Sequence, residues 1–369
     1  MEQVDILIIG AGIIGLAVAR ELSTESEDVV LVEAEGTFGR HTSSRNSEVL
    51  HSGIYYPKGS LKARLCVAGV KEIYKYAKKN NIPFRNCGKL IVTNNRKELS
   101  ILEELKSNGE NNGVPNLQII NETDCKKLEP QIIAKYALKV PSTGIIDSHK
   151  LMQKLENEAE INGAFIVYDM KVTSIDTLDE GYLVKFSNGE AFMAKTLINC
   201  AGLYSDKIAE MVVIDIKREN LQLHWCKGEY YKSSKIKNVN HLIYPVPDPN
   251  GVFLGIHLTI NLQGEIRFGP NAYYVNKLNY EMDETYKPEF LKAIKNYMKI
   301  DEESFHLDDC GIRAKLQKEG EQFRDFYIKE ESEKGFHKLI NCIGIESPGL
   351  TCCLTIAEEV RKLVETKKI

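Results

Sequence analysis

The sequence predicts an α/β (α+β) protein with two domains, one on a parallel sheet with helices and the other mainly an antiparallel sheet. Three observations predict this. Residues 5–33 read as an apolar strand, a glycine turn, an apolar helix and a second strand. Residues from about 213 to 310 are rich in aromatic and β-branched residues, as in sheets. Residues 311–369 return to the strand-then-helix style of the beginning.

The composition indicates a globular protein without a nucleic-acid partner. The chain has 369 residues, a length that fits two domains, and its net charge is −4. Nine cysteines, an odd count without metal-type spacing, predict reduced thiols and no metal. The first strand begins within four residues of Met1, and we expect no targeting segment. The sequence therefore predicts a cytoplasmic protein and leaves open peripheral association with the inner face of a membrane.

The glycine turn carries the strongest functional signal. Gly10, Gly12 and Gly15 follow the strand Ile6–Ile9 and open a helix, and the acid Glu33 ends the next strand about 20 residues later. This pattern lets a pyrophosphate approach the backbone at a helix N-terminus, while the carboxylate binds a ribose. The sequence therefore predicts a Rossmann-like domain that binds a dinucleotide.

The next segments supply polar side chains. A loop after Glu33 contains Thr42, Ser43, Ser44, Arg45 and Asn46, donors that suit a pyrophosphate. The run His51–Tyr56 then places an imidazole and two phenols together, and Ser60 is predicted to cap a helix. Residues 107–116 are predicted to form a loop.

The rest of the chain predicts a helix over residues 149–161, then short strands with a hairpin at Asn188–Gly189. The strand 196–199 ends at Ala201–Gly202, small residues that allow close approach of a cofactor. Near the C-terminus, a turn at residues 347–349 precedes a helix over 351–364, with Thr351 as its predicted N-cap.

These motifs together resemble the D-amino acid oxidase type of FAD-dependent oxidoreductase over the whole chain. GAGIIGLAVAREL, GIR at 311–313 and GIESPGLT at 344–351 carry the resemblance. Within that family, the run SSRNSEVLHSGIYYPKGSLKARLCVAG at 43–69 is similar to the L-2-hydroxyglutarate dehydrogenase/oxidase branch, and NCGKLIVT and STGIIDSH support this.

The resemblance implies non-covalent FAD and two discontinuous domains. Residues 1–80, 142–212 and 311–369 would form the FAD-binding domain, and residues 81–141 and 213–310 the substrate-binding domain. Residues at the family's FAD-binding positions are expected to contact FAD: Gly10, Gly12, Ile14, Gly15, Glu33, Ala34, Thr42, Ser43, Ser44, Arg45, Asn46, Val172, Ala201, Gly202, Ile345, Ser347, Pro348, Gly349, Leu350 and Thr351.

A flavin accepts hydride from a carbon that bears a hydroxyl or amino group, so the protein must supply a base and a carboxylate-binding cation. We expect His51 to be the base, or else a hydrogen-bonded histidine behind the site. Arg313 is expected to bind the carboxylate, or else to pair with Asp308 or Asp309. Three further residues are predicted to line the pocket or pack in the core: Tyr55, Tyr244 and His257.

The leading hypothesis is an FAD-dependent dehydrogenase or oxidase that converts a small 2-hydroxy acid, L-2-hydroxyglutarate or similar, to the 2-oxo acid. One alternative is an amine oxidase of the glycine, sarcosine or D-amino acid type. Another is a flavoprotein that holds FAD for structure only. The electron acceptor is expected to be oxygen or a quinone or other carrier.

Overall fold

A computed structural model describes residues 2–24, 28–247 and 254–365. Its α-helices, in chain order, are α1 Ile13–Leu22, α2 Leu61–Lys79, α3 Leu99–Asn111, α4 Glu122–Leu128, α5 Ser148–Ile161, α6 Ser205–Met211, α7 Lys287–Ile294 and α8 Gly349–Glu365. Its strands are β1 Glu2–Ile9, β2 Val29–Val32, β3 Val49–Leu50, β4 Phe84–Arg85, β5 Lys89–Thr93, β6 Gln118–Asn121, β7 Tyr136–Val140, β8 Gly144–Ile146, β9 Phe165–Val167, β10 Val172–Leu178, β11 Gly181–Phe186, β12 Ala191–Asn199, β13 His224–Ser233, β14 Leu242–Pro245, β15 Leu258–Ile260, β16 Ile266–Phe268, β17 Tyr273–Val275, β18 Phe305–Lys315, β19 Tyr327–Glu330 and β20 Leu339–Ile343.

The chain divides into two compact units, each made of separate segments. Unit 1 contains residues 1–44, 148–225 and 313–369, and unit 2 contains residues 45–147 and 226–312. The predicted mixed α/β class is confirmed, because both units combine sheets with helices.

Unit 1 is built on an eight-stranded sheet. Its main path runs β10-β11-β12-β1-β2-β9, while β20 pairs with β12 and β19 pairs with β20. The central strands β9, β2, β1, β12 and β20 pair in parallel, as the alternation of strand and helix patterns predicted. The predicted hairpin at Asn188–Gly189 joins the antiparallel strands β11 and β12. Helix α1, apolar on almost every side, packs against both α5 and α8.

Unit 2 contains a nine-stranded sheet and a small three-stranded one. The large sheet runs β17-β13-β16-β15-β14-β5-β7-β6, and β18 also pairs with β13. Strands β14 and β5 pair in parallel within it, whereas β15, β16, β7 and β6 pair antiparallel with their neighbours. The small sheet has the order β3-β8-β4. An apolar cluster that includes Leu90, Ile243 and Phe268 fills the core of this unit.

The borders of the units differ from those predicted for the domains. Residues 45–80, placed by the sequence in the first domain, lie in unit 2. The physical reason is packing, since Val49 and Ile54 belong to the apolar cluster of unit 2 and Val67 packs against it. The assignment of one domain to FAD and the other to substrate stays a prediction.

Two local predictions were wrong. Residues 107–111 belong to α3 rather than to a loop, because Leu102 is buried and holds the helix against the core. Thr351 is a buried residue inside α8 and not its N-cap. The carbonyl of Pro348 already accepts the amide of Cys352 at 3.1 Å, so the helix begins at Gly349. By contrast, Ser60 caps α2 as predicted, accepting the amide of Ala63.

None of the helices in the described ranges is long and apolar enough to cross a membrane. All nine cysteines are free thiols.

Candidate active site

The turn from β1 into α1 and the first turn of the helix each require a glycine. Gly10 has φ +105°, and a Cβ there would lie 2.6 Å from the carbonyl oxygen of Cys200. A Cβ at Gly15 would lie 1.8 Å from the carbonyl oxygen of Gly10. Helix α1 follows from Ile13, and Gly12 offers it no side-chain cap. The turn therefore places the N-terminal amides of the helix beside backbone that carries no side chains. This arrangement binds a pyrophosphate.

Glu33 is held at this turn. Its carboxylate accepts the amides of Ala11 at 2.7 Å and Glu35 at 3.0 Å. Its own carbonyl accepts the amide of Met170 at 2.7 Å. The predicted contact Val172, buried in β10, therefore lies two residues from a direct partner of Glu33. Glu33 and Met170, about 140 positions apart in sequence, therefore meet at the end of β2. The predicted contact Ala34 directly follows Glu33.

The polar loop folds back onto the turn. The hydroxyl of Ser43 accepts the amide of Ile13 at 3.0 Å, and the amide of Gly39 donates to the carbonyl of Ala11 at 3.0 Å. The Ser43 hydroxyl therefore binds one of the helix amides that were predicted to bind the cofactor.

The polar residues beside Ser43 have local partners. Ser44 donates its hydroxyl to the carbonyl of His41 at 3.3 Å, and Asn46 accepts the amide of Glu48 at 2.8 Å. Thr42 lies half-buried in the same loop. Arg45, assigned to unit 2, pairs with Asp309 at 3.1 Å and covers the ring of Tyr280 at 4.2 Å.

Two further segments of unit 1 approach the turn. The backbone of Cys200–Ala201 lies against Gly10, and Gly202 follows with φ +53°. At the other segment, a Cβ on Gly349 would lie 3.9 Å from Cδ1 of Ile14. The 345–351 segment is anchored by a buried ion pair, in which Lys315 Nζ lies 3.1 Å from Glu346 Oε1. These segments contain the other predicted contacts: Ile345, Ser347, Pro348, Leu350 and Thr351.

The residues of unit 1 fit a dinucleotide. A helix N-terminus whose N-cap residue is a glycine, a turn in which added side chains would collide with backbone, and an acid at the end of the second strand occur together. This is the donor set that a pyrophosphate and a ribose require.

The loop with His51 and Tyr55 is held by two helices of unit 2. Asn108 donates to the carbonyls of Ile54 at 2.8 Å and Tyr56 at 3.0 Å. Asn112, one turn later, donates to the carbonyl of Tyr56 at 2.8 Å. From α2, the thiol of Cys66 donates to the carbonyl of His51 at 3.3 Å. Helical spacing of the two asparagines therefore fixes this loop.

The large sheet of unit 2 carries Lys89 and Tyr244 on one face, and His257 lies just before β15. Lys89 of β5 lies opposite Leu242, two residues before Tyr244 on β14. Tyr244 in turn stacks on His257, with ring centroids 3.8 Å apart and an interplanar angle of 12°. The Lys89 ammonium lies 4.5 Å from the ring centroid of Tyr55 and 4.6 Å from that of Tyr244. The structure thus brings the predicted residues Tyr55, Tyr244 and His257 to one cluster with His51.

Burial and charge control the protonation of this cluster. Burial lowers the pKa of His51 to about 3, with smaller contributions from Lys89 and His257. Burial also lowers the pKa of Lys89 to about 7 and raises the pKa values of Tyr55 and Tyr244. At neutral pH the imidazole is therefore unprotonated and both phenols keep their protons.

The sequence did not predict a role for Lys89. The available signal is a lysine that opens the apolar strand KLIVT directly after a glycine. A solvated lysine at a strand start is the ordinary interpretation of that pattern, but its side chain is fully buried.

Arg313 lies half-buried on β18 and belongs to unit 1. The two acids predicted as its alternative partners form ion pairs of their own. Asp309 pairs with Arg45, and Asp308 pairs with Arg267 and with Lys232, the latter at 3.3 Å.

The glycine turn and its acid are those of a dinucleotide-binding protein of the flavin type. Comparison with known proteins bears this out. Residues 5–363 match the family described as FAD dependent oxidoreductase, and the chain belongs to this family. It is an enzyme that uses FAD.

The predicted branch is confirmed by relatives named L-2-hydroxyglutarate dehydrogenase. The mitochondrial protein of Arabidopsis thaliana is 34% identical, over 97% of this chain and 83% of its own length. That of Indibacter alkaliphilus is 32% identical, over 96% of this chain and 97% of its own length.

Solved structures share the fold. L-α-glycerophosphate oxidase from Mycoplasma pneumoniae with FAD bound has a TM-score of 0.88 and 26% identity, covering 99% of this chain and 95% of that chain. Glycine oxidase from Geobacillus kaustophilus has a TM-score of 0.81 and 18% identity, over 100% of this chain and 96% of that one, and shows the fold alone.

Proposed function

We propose that this protein oxidises L-2-hydroxyglutarate, or a small 2-hydroxy acid of the same shape and charge, to the 2-oxo acid. Relatives that carry the L-2-hydroxyglutarate dehydrogenase name align over nearly the whole chain, which supports the substrate class. The observation that carries the proposal is the His51 imidazole, held unprotonated in a buried cluster. An alcohol needs such a base, because its hydroxyl must lose a proton as the carbon loses hydride.

His51 is the proposed base. Its imidazole accepts the hydroxyl proton while the bond from hydrogen to C2 breaks, and the C2–oxygen bond becomes a carbonyl. FAD, when bound, supplies the hydride acceptor. The pKa of about 3 means that a proton taken by His51 in the free protein is poorly held. A bound carboxylate raises that pKa, because an opposite charge favours the imidazolium.

Arg313 is the proposed carboxylate-binding residue. A guanidinium offers paired N–H donors that match the two oxygens of a carboxylate. Tyr55 and Tyr244 would orient the substrate with hydroxyls that remain protonated at working pH, because burial raises their pKa values. The stacked ring of His257 fixes the position of Tyr244.

FAD is proposed to be held non-covalently by the turn, Glu33, the loop 42–46, and the segments 201–202 and 345–351. Heat or acid precipitation should therefore release all of the yellow cofactor into the supernatant. Flavin that stays with the precipitated chain would contradict this part of the proposal.

The proposed electron acceptor is oxygen or a quinone or similar carrier, and the proposed location is the cytoplasm, either free or peripheral on the inner membrane face. Mixing reduced protein with air-saturated buffer or with a soluble quinone, and following the return of flavin absorbance, distinguishes the two acceptors. Cell fractionation in low and high salt tests the location.

Anaerobic absorbance tests the substrate. We expect L-2-hydroxyglutarate to bleach the flavin band at about 450 nm, a general property of flavins. D-2-hydroxyglutarate, glycine and sarcosine should leave the band unchanged. Bleaching by an amine instead would replace the proposal with amine oxidation. A flavin that none of these compounds reduces would contradict it altogether and favour a structural role for FAD.

A further inference from the structure

A buried hydrogen-bond network joins the end of β12 to the neighbouring strand β20 in unit 1. Asn199, the last residue of β12, and Asn341 of β20 lie opposite each other in the parallel pairing, and both are fully buried. The Asn199 amide nitrogen donates to Asn341 Oδ1 at 2.8 Å. The Asn341 amide nitrogen donates to Oε1 of Glu331, which is also buried, at 2.9 Å. Three buried polar side chains are therefore linked in a row.

The outer end of the network is a carboxylate with several donors around it. Glu331 Oε1 accepts the hydroxyl of Tyr327 at 2.9 Å, and Glu331 Oε2 lies 2.7 Å from the ammonium of Lys334. A carboxylate in an ion pair only accepts hydrogen bonds. Asn341 must therefore turn its amide nitrogen towards Glu331 and its oxygen towards Asn199.

The inner end of the network requires the same direction. The Asn199 amide nitrogen also donates to the carbonyl of Ser205 at 2.7 Å, and Asn199 Oδ1 accepts the amide of Ala201 at 3.2 Å. These backbone groups need a donor and an acceptor in those positions. The orientation that Glu331 imposes through Asn341 is thus the one that the backbone after β12 needs.

The backbone held by Asn199 packs on the glycine turn. A Cβ at Gly10 would lie 2.6 Å from the carbonyl oxygen of Cys200 and 3.1 Å from Cα of Ala201. The amide of Cys200 donates to the carbonyl of Ile9, the last residue of β1, at 2.9 Å. These contacts lie at the carboxyl ends of parallel strands, where dinucleotides bind in such sheets. The network therefore ends beside the predicted pyrophosphate site.

We propose that Asn199 and Asn341 are positioning residues for FAD, which hold the backbone of residues 201–202 against the glycine turn in the shape that the cofactor requires. Glu331 fixes the direction of their hydrogen bonds. This role rests on the proposed function, because that proposal assigns residues 201–202 to FAD binding. These three side chains act through the backbone and do not touch FAD. A purely stabilising role needs no such network, since apolar side chains of the same shape can be nearly as stable.

The test measures how tightly the full-length holoprotein holds FAD. Serial dilution, followed by the fluorescence of released flavin, gives the dissociation constant, and urea unfolding gives the stability of each variant. Asn341→Asp places a second carboxylate against Glu331, and like charges repel. The network should then open, and the dissociation constant should rise about tenfold, as for the loss of a hydrogen bond to a charged group.

An exchange of the two groups should restore binding. In the double variant Asn341→Asp/Glu331→Gln, the new amide can donate to the new carboxylate, which still accepts from Asn199. The direction of the network is kept, so the dissociation constant should return close to that of wild type. If Asn341→Asp does not fold, Asn341→Leu removes the same bonds without adding charge and should also weaken FAD binding.

Tyr182→Phe is the matched control for lost stability. Tyr182 is buried in β11 of the same unit, and its hydroxyl donates to the carbonyl of His337 at 2.8 Å, just before β20. Removing this hydroxyl also breaks one buried hydrogen bond. The variant should lose stability but keep the FAD affinity of wild type, because this bond lies outside the network.

Gly202→Asn tests separately whether residues 201–202 contact FAD. Gly202 has φ +53°, a conformation that asparagine tolerates, and an added Cβ would meet no atom of the described residues within 4 Å. The new side chain should therefore leave the fold intact and weaken FAD binding by occupying space that the cofactor needs.

Three outcomes overturn the proposal. If Gly202→Asn binds FAD like wild type, the assignment of residues 201–202 fails, and the positioning role fails with it. If Gly202→Asn weakens binding but Asn341→Asp does not, only the positioning role fails. Equal weakening in Tyr182→Phe and Asn341→Asp would show a general effect of lost stability. Because no substrate is used, a failure of L-2-hydroxyglutarate to bleach the flavin leaves these results unchanged.

Discussion

The two units carry their predicted sites in opposite ways. In unit 1, the predicted site is built mainly on backbone atoms, since the glycines at positions 10 and 15 leave no room for side chains of their own. In unit 2, buried side chains form it, and His51, Lys89 and Tyr244 come from a loop and two strands. A site built on backbone therefore depends on glycines that lack a Cβ. A site built on side chains depends on charged and polar groups placed among apolar neighbours.

The largest expected effect concerns the backbone site. In Gly15→Ala, the new methyl group would lie 1.8 Å from the carbonyl oxygen of Gly10, so the turn must break or the helix must move away. We expect loss of FAD and destabilisation by more than about 3 kcal/mol. The flavin-to-protein absorbance ratio and urea unfolding measure both.

Gly36→Ala is the matched control, because its new Cβ would meet Asp169 Oδ1 only at 3.5 Å, an ordinary contact. It should retain FAD. If the Gly15→Ala protein had the FAD content of wild type, position 15 would tolerate a Cβ. The contrast drawn between the two units would then be wrong.

The second effect concerns the side-chain site. His51→Ala should lower the rate of anaerobic flavin reduction by about 10²- to 10⁴-fold, the usual contribution of a general base, while FAD content stays at the wild-type level. Rapid mixing with L-2-hydroxyglutarate measures this. Full turnover in His51→Ala would exclude His51 as the base.

A smaller effect is expected from Glu33→Ala. The carboxylate holds the amides of Ala11 and Glu35, so its loss loosens the turn and removes the predicted ribose contact. FAD affinity should fall about tenfold or more, as for a lost charged hydrogen bond. Titrating FAD into apoprotein gives the dissociation constant.

Glu35→Ala serves as a control for Glu33→Ala, since the Glu35 carboxylate is exposed and pairs with His41 at 3.3 Å. If both variants had the same affinity for FAD, the Glu33 carboxylate would have no specific role in binding FAD.

The smallest effect is a gain in stability of about 1 kcal/mol in Lys89→Met, because a buried charge is replaced by an apolar side chain of similar length. Lys89 has a pKa of about 7 in the folded protein and near 10.4 when unfolded. Between these values the unfolded chain binds more protons, so wild-type stability rises with pH. The gain should be full below about pH 7 and shrink towards pH 10, as denaturant unfolding at several pH values would show.

The sequence predicted what lies in local patterns. The turn at Gly10, the acid Glu33 and the cap Ser60 are each recognisable within a short segment, because their roles depend on neighbouring residues. Burial of Lys89 was not predictable, since it depends on strands separated by about 150 residues that meet only in the sheet. The asparagines 108 and 112 looked like loop residues for the same reason, as their partners lie near position 55.

Domains usually fold in the order in which they are synthesised, but the borders of these two units reverse that order. Unit 2 has all its segments once residue 312 has been synthesised, whereas unit 1 waits for residues 313–369. Those residues supply β20, which pairs with β12, and α8, which packs on α1. Until they leave the ribosome, β12 keeps part of an open edge and α1 an apolar surface that attract other chains. The unit that begins the polypeptide is therefore the last to be completed.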